Sequence, residues 1–397
     1  MHEAIRALHV WYVGGGQRCL MGRLVLQDRS IDFSYDDDFL ARGLSLSPMK
    51  LPLKPGIMRC DDRTFDGLFG IFNDSLPDGW GRLLVDRKLM ALGLSPQSLT
   101  PLDRLQYVGH GGMGALAYEP EIEFPLLHSS THLDHLAQVA QQFLTTDDDN
   151  ALDELLAVNG SSAGARPKAM LLDDGLYWLV KFRSSADPTD IAPIEYAYHL
   201  MALKAGLIMP PAKLFPSRTE PGYFGVQRFD RVHGERVHVH SISGLLHADH
   251  RMPNLDYETI LKATLWLTQD SREAEKQFRA CVFNVLAHNR DDHAKNFSFV
   301  MDRDGQWHVS PAYDLTFSGG PAGEHCTTIM GEGKRPGQSH LLKLAEIAGI
   351  EKSRAQQIID DVRHATSQWM SIATDVGVSA RSKAMVGREI LDGQREK

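Results

Sequence analysis

Cysteine is scarce in this sequence. Its 397 residues hold four, Cys19, Cys60, Cys281 and Cys326, and no two form a C-x-x-C pair. That excludes a disulfide framework or a zinc ribbon as the organising feature and favours reduced thiols. Long apolar runs are also missing. No stretch reaches the roughly 20 apolar residues that span a bilayer. The opening MHEAIRALHVWYVGGG lacks the basic segment and apolar core of a secretory leader. A cytoplasmic protein with no membrane contact is the expectation. Positive charge is in deficit, with 42 Lys and Arg against 51 Asp and Glu and a formal net charge of -9. Bulk attraction to nucleic acid is therefore excluded, though a local basic patch is not. Repeats and low-complexity tracts are absent.

What is present reads as an ordinary globular composition, 43% hydrophobic and 23% charged, in a chain long enough for more than one core. LHVWYV, CLMGRLVLQ and IDFSY predict a β meander. From about Asp66 the pattern turns helical through FDGLFGIFNDSLPDGWGRLLVDRKLMALGL, with Pro77 and Gly79 dividing two helices. GHGGMGALAYEP reads as a glycine-rich turn and a short strand. Helical AQVAQQFL is followed by the acidic run TTDDDN, whose Asp147 to Asp149 read as solvated surface or, less simply, metal ligands. AMLLDD, GLYWLVKF, AKLFP and YFGVQRFDR predict strands, with one helix, APIEYAYHLMALKAGL, among them. YETILKATLWLT, SREAEKQFRACVFNVLAHN and the tail predict helices around a hairpin in FSFVMDRDGQWHVSP. The expected fold is α+β and two-lobed, divided at 1–125, 150–230 and 231–397.

The richest stretch is Arg290-Asp291-Asp292-His293-Ala294-Lys295-Asn296. An Asp and an Asn separated by four residues is the spacing of a kinase catalytic loop. One carboxylate can take the proton of a substrate hydroxyl, and an amide oxygen can ligate magnesium, a hard cation that prefers oxygen. The same spacing also suits a solvated helix end with an Asn cap. A predicted hairpin and then Pro311-Ala312-Tyr313-Asp314-Leu315 follow it, so Asp314 falls where a kinase keeps its second metal carboxylate; it also suits a simple turn.

Lys181 ends the strand LVKF, as a phosphate-binding lysine or as an edge-strand lysine facing water. Glu195, on the next helix, is its candidate partner. Asn159 to Lys168, NGSSAGARPK, could cradle an anion on its backbone N–H groups, yet it is no Walker A loop because no Gly-Lys-Ser/Thr follows. Gly109 to Gly114 lacks the helix and ribose carboxylate of a dinucleotide site. His238 and His240 share a strand face, as ordinary strand histidines or as metal ligands. His288 and His293 bracket the candidate base.

In order, GSSAGARPKAML, WLVKF, IEYAYHLMALKAGL, VQRFDR, NRDDHAKNFSF and PAYDL resemble the HipA family of kinase toxins. FNDSLPDGWGR and VGHGGMGAL resemble its N-terminal module, so the resemblance covers nearly the whole chain. It implies a bilobal, protein-kinase-like fold and an ATP- and Mg2+-dependent serine/threonine kinase. Asp291 is then the catalytic base, and Asn296 and Asp314 are the metal ligands. ATP contacts fall to Lys181, to the loop Ser161, Ser162, Ala163, Gly164 and Ala165, to Gln227 and Phe229 at the adenine, and to His293 and Tyr313. Ser161 is the implied autophosphorylation site by its spacing to Gly164 and Lys168, with Ser162 adjacent. The family commonly has Asp-Gly-His where this chain has Asp291-Asp292-His293; the spacing to Asn296 favours Asp291. Implied partners are a helix-turn-helix antitoxin, operator DNA through it, and an aminoacyl-tRNA synthetase substrate, possibly the glutamyl enzyme. A catalytically silent nucleotide-binding scaffold and a small-molecule phosphotransferase are the competing readings.

Overall fold

Alternation in the opening residues builds a sheet. In β1 (Ala7–Tyr12) Leu8, Val10 and Tyr12 are buried while His9 is exposed, the period of two expected of a half-buried strand. β2 (Cys19–Gln27), β3 (Ser30–Tyr35), β4 (Ile57–Arg59) and β5 (Leu116–Glu119) join it in the order β4-β3-β2-β1-β5, every pair antiparallel. The computed structural model describes residues 5–27, 30–91, 93, 95–121, 133–143, 149–159 and 164–394.

The chain divides into two compact units that interleave in sequence. The first comprises 1–187, 227–247 and 300–305, and the second comprises 188–226, 248–299 and 306–397. In the first, helices Gly79–Ala91, Leu133–Phe143 and Asp149–Asn159 share a core of Trp80, Leu84, Leu89, Val139, Phe143, Leu152 and Leu155. Leu136, Val139, Ala140 and Phe143 are buried at helical spacing, as a single apolar face requires. The Asp149–Asn159 helix was not expected, because its acidic start masks an apolar face. Asp147 and Asp148 lie outside the described residues. Helix Pro101–Val108 was also missed, although Thr100 and Asp103 form a capping box with Pro101 at its first turn. β6 (Lys168–Asp173) and β7 (Leu176–Lys181) form a hairpin through Asp174 and Gly175, both at positive φ.

In the second unit β8 (Ala212–Phe215) and β9 (Tyr223–Gln227) pair over Ala212↔Val226 to Phe215↔Tyr223. The rest is mainly helical. The Ser271–Leu286 helix packs on helices Tyr257–Thr268 and Lys352–Ser367. Asp270 caps its start by accepting the Arg272 N–H at 2.8 Å, an arrangement that stabilises a helix by about 1 kcal/mol. Phe278, Cys281, Val282 and Phe283 are wholly buried along it. Among the described residues no helix is long and apolar enough to cross a membrane.

Candidate functional site

In the second unit, the catalytic-loop motif begins where the Ser271–Leu286 helix stops. His288 turns the chain at φ 58, and Asn289 donates to the Asn284 side chain at 2.9 Å. The two neighbouring aspartates then part company. Asp292 has no exposure and accepts from the Tyr257 hydroxyl at 2.9 Å, from His325 Nδ1 at 2.9 Å and from the Thr327 N–H at 3.3 Å. Its carbonyl accepts the Thr327 hydroxyl at 2.5 Å. Burial, with Asp292 beside it, pushes the Tyr257 phenol well above its ordinary pKa, so it remains a donor. Asn284 in turn donates to the Tyr257 oxygen at 2.9 Å.

Asp291, by contrast, is exposed. The Cys326 thiol lies 3.9 Å from its Oδ1. Burial first, and then the charge of Asp291, push that thiol up to about 12, so it stays protonated. Of the two carboxylates, Asp291 can meet a substrate hydroxyl and Asp292 holds the loop. The Arg290 guanidinium also anchors the loop, donating to Gly323 O at 2.6 Å and to Lys334 O at 2.9 Å.

The two candidate oxygen ligands, Asn296 and Asp314, lie in this same unit. Asn296 donates its amide nitrogen to the Asp291 carbonyl at 2.7 Å, which leaves the amide oxygen as the atom that could meet a cation. The Tyr313 hydroxyl donates to Lys295 O and lies 2.6 Å from Ser298 Oγ. It therefore ties the residue before Asn296 to the residue before Asp314. Asp314 itself sits at φ 57, a left-handed conformation that non-glycine residues adopt sparingly and that recurs at functional sites. Among the described residues no group of three or more His, Cys, Asp and Glu side chains could hold a metal. Asn296 and Asp314 offer one amide and one carboxylate oxygen, the donor set that suits magnesium completed by phosphate oxygens. His293 lies beside His250 with the rings tilted at 57° and their centroids 5.6 Å apart, and its buried Nδ1 has no hydrogen-bond partner among the described residues.

In the first unit, Lys181 closes β7 and stands directly opposite Lys168 on β6. Facing residues of an antiparallel pair share one face, so both side chains leave the hairpin on the same side. Lys168 is 4% exposed and its Nζ stands 2.5 Å from where a Gly164 Cβ would be. Sequence reasoning passed over Lys168, but a signal was there: a two-residue Asp-Gly turn at 174–175 fixes the register and sets 168 against 181. Gly164 and Ala165 follow directly on Ser161, Ser162 and Ala163, which lie outside the described residues. Arg166 grips Asp187 with contacts of 3.0 to 3.2 Å. Gln227 and Phe229 flank Arg228, whose N–H donates to Tyr177 O of β7 at 2.8 Å. Glu195 is buried in the second unit, and Lys181 belongs to the first.

Two other motifs, the 109–114 loop and the His238/His240 pair, are held by hydrogen bonds to other protein groups. The 109–114 glycine loop presents its carbonyls to arginines: Gly112 O accepts from Arg228, Arg231 and Arg236, and Gly114 O from Arg231 and Arg236. Burial would raise the Asp230 carboxyl, but Arg228 and Arg231 outweigh it and hold its pKa far below the carboxylate range. His238 bonds Leu46 O at 3.0 Å, and burial pushes it down to about 3. His240 bridges Asp74 at 2.7 Å and Ser47 at 2.9 Å. That is the Asp-His-Ser order of a hydrolase triad, yet His240 and Ser47 are both fully buried, so no acyl substrate reaches them.

An α+β chain with a kinase-type loop, a strand lysine and a glycine turn defines a kinase-like class. Residues 8–119 match the HipA N-terminal domain and residues 160–370, more than half the chain, match the HipA-like C-terminal domain. The chain belongs to the HipA family. Its structure is similar to HipA of the Shewanella oneidensis MR-1 toxin–antitoxin complex with HipB and operator DNA. The TM-score is 0.69 at 17% identity, over 97% of this chain and 95% of that one. The Helicobacter pylori proinflammatory kinase CtkA aligns with a TM-score of 0.39 at 12% identity, over 57% of this chain and 88% of that one. The fold comparison rests on the first.

Proposed function

We propose that this chain is an ATP- and Mg2+-dependent serine/threonine protein kinase acting as the toxin of a toxin–antitoxin pair. The observation that carries the reading is the division of labour between adjacent carboxylates, with Asp292 buried and bonded and Asp291 exposed beside Asn296. Asp291 accepts the proton of a substrate hydroxyl as its oxygen attacks the γ-phosphorus of ATP. The bond from that phosphorus to the bridging oxygen breaks, and ADP leaves. Asn296 and Asp314 would hold magnesium, which neutralises charge on the phosphates when bound. Lys181, with Lys168 opposite, pairs the phosphates, and the loop from Ser161 to Ala165 covers them. Gln227 and Phe229 frame the adenine, and His293 and Tyr313 complete the nucleotide site.

Ser161, or Ser162 beside it, is the self-phosphorylated residue, adding roughly 1.5 to 2 negative charges to the loop and repelling ATP. The protein acts in the cytoplasm. A HipB-type helix-turn-helix antitoxin is the partner, DNA is reached through it, and an aminoacyl-tRNA synthetase, with the glutamyl enzyme first to be tried, is the substrate. The test is incubation with labelled ATP and Mg2+, with and without a cell extract, followed by mapping of the labelled serine. Label in wild type and none in Asp291→Asn supports the reading. Equal labelling of the two proteins overturns it.

A further inference from the structure

The FNDSLPDGWGR run grips one residue of the glycine loop from both sides. The Trp80 N–H donates to Gly164 O at 2.9 Å, and the Gly164 N–H donates to an Asp78 carboxylate oxygen. Both backbone groups of Gly164 are thus taken by residues 78 and 80. Between them Gly79 lies at φ +45, where a Cβ would come within 2.6 Å of Gly164 O and 2.9 Å of Ala165 Cα. Only glycine lets the two backbones approach so closely. The grip is mounted on a rigid base. Trp80 is 2% exposed, belongs to the core with Leu84 and Leu152, and meets Phe143 edge-on with ring centroids 5.7 Å apart. On the loop's other side Arg166 is anchored by Asp187, which also takes the Ser184 N–H at 2.9 Å and hydroxyl at 2.6 Å.

We propose that Asp78, Gly79 and Trp80 are positioning residues for the phosphate loop, setting where the backbone at Gly164 and Ala165 meets the nucleotide; this rests on the kinase reading above. The Gly164 N–H is committed to Asp78, so the carboxylate orients the loop and does not touch the nucleotide. A loop held in its bound conformation spares the ordering that binding otherwise requires. Freed from Asp78, the loop samples many conformations, and only the fraction that is competent binds.

The full chain, wild type and variant, is titrated with MgATP by calorimetry, and amide exchange is followed at Gly164. Loss of a hydrogen bond to a charged acceptor predicts a Kd for MgATP raised about 10- to 100-fold in Asp78→Ala. Faster exchange at Gly164 should accompany it. Asp78→Asn keeps an oxygen acceptor and should recover most of the affinity, a rescue that a merely structural role does not predict. Gly79→Ala should behave like Asp78→Ala; if it does not fold, the two Asp78 variants still decide. If wild type binds MgATP and folded Asp78→Ala binds it equally well, this inference alone fails. If wild type binds no MgATP, the kinase reading fails, and the role for Asp78 falls with it.

Discussion

Replacing each of the paired aspartates in turn should separate chemistry from support. Asp292→Ala removes the acceptor from three buried donors, the Tyr257 hydroxyl, His325 Nδ1 and the Thr327 N–H. A buried polar group left unsatisfied costs roughly 1–3 kcal/mol, and the three share one carboxylate, so the total is on the order of 3–5 kcal/mol and not a simple sum. For a unit of this size each kcal/mol moves the midpoint by about 2–4 °C, so a fall of at least about 6 °C is expected. Asp291→Asn changes an exposed side chain and should alter stability by no more than about 0.5 kcal/mol. Its effect falls on turnover instead, because losing a positioned general base costs roughly 100- to 10,000-fold. Scanning calorimetry gives the first quantity, and initial rates of transfer from labelled ATP give the second. If Asp291→Asn turns over normally while Asp292→Asn, still stable, does not, the roles are reversed and the reasoning from burial is wrong.

Tyr313→Phe removes the tie to Lys295 and Ser298. It should cost about 1 kcal/mol of stability and raise the Mg2+ concentration needed for half-maximal transfer several-fold; an unchanged Mg2+ titration would separate Tyr313 from the metal pair. Stability should fall as the medium is acidified. Burial holds His199 and His288 down to about 4 in the folded chain against 6.5 for an ordinary histidine. The unfolded chain therefore binds more protons between pH 6.5 and about 4, and up to about 3 kcal/mol per histidine is lost across that window. His288→Gln should flatten the slope of midpoint against pH, and an unaltered slope would show that His288 is not buried neutral. Chelating Mg2+ should weaken ATP binding markedly by calorimetry, because Asn296 and Asp314 have only oxygen to offer; equal affinity in chelator rules out the metal role.

Periodicity made most of the fold legible. β1 alternates and the Ser271–Leu286 helix repeats its buried positions every three or four residues, so each element declares its buried face locally. The helix from Asp149 was hidden because its apolar positions follow an acidic run that reads as surface. The site was legible as residue types at a spacing, but not as roles. Asp291 and Asp292 are neighbours with the same chemistry, and what distinguishes them is contributed by His325 and Thr327, more than thirty residues further on. The glycine loop at 109–114 has the composition of a phosphate cradle, but its partners are protein groups: its carbonyls take Arg228, Arg231 and Arg236, and the Gly114 N–H takes the Asp230 carboxylate.

Those long-range pairs also bear on whether the region matching the HipA-like C-terminal domain can stand alone. Arg236 donates its side-chain hydrogen bonds to carbonyls of the N-terminal match: Gly114 O at 2.7 Å, Leu116 O at 2.8 Å, and Gly112 O and His110 O at 3.0 Å. Asp74 accepts the Ser241 N–H at 2.8 Å and hydroxyl at 2.5 Å, at the start of the Ile242–Leu246 helix. Asp78 and Trp80 hold Gly164. At about 1 kcal/mol net per hydrogen bond, losing the four from Arg236 alone approaches the ~5–15 kcal/mol that keeps a domain folded. Three arginines around one carboxylate would also meet water without the carbonyls that now face them. A fragment of residues 160–394 should therefore expose hydrophobic surface, lose its cooperative thermal transition and bind MgATP at least about tenfold more weakly than the full chain. Adding residues 1–159 as a separate polypeptide should restore part of the transition. A fragment that melts cooperatively and binds MgATP as the full chain does would show that the N-terminal residues support neither the fold nor the nucleotide site.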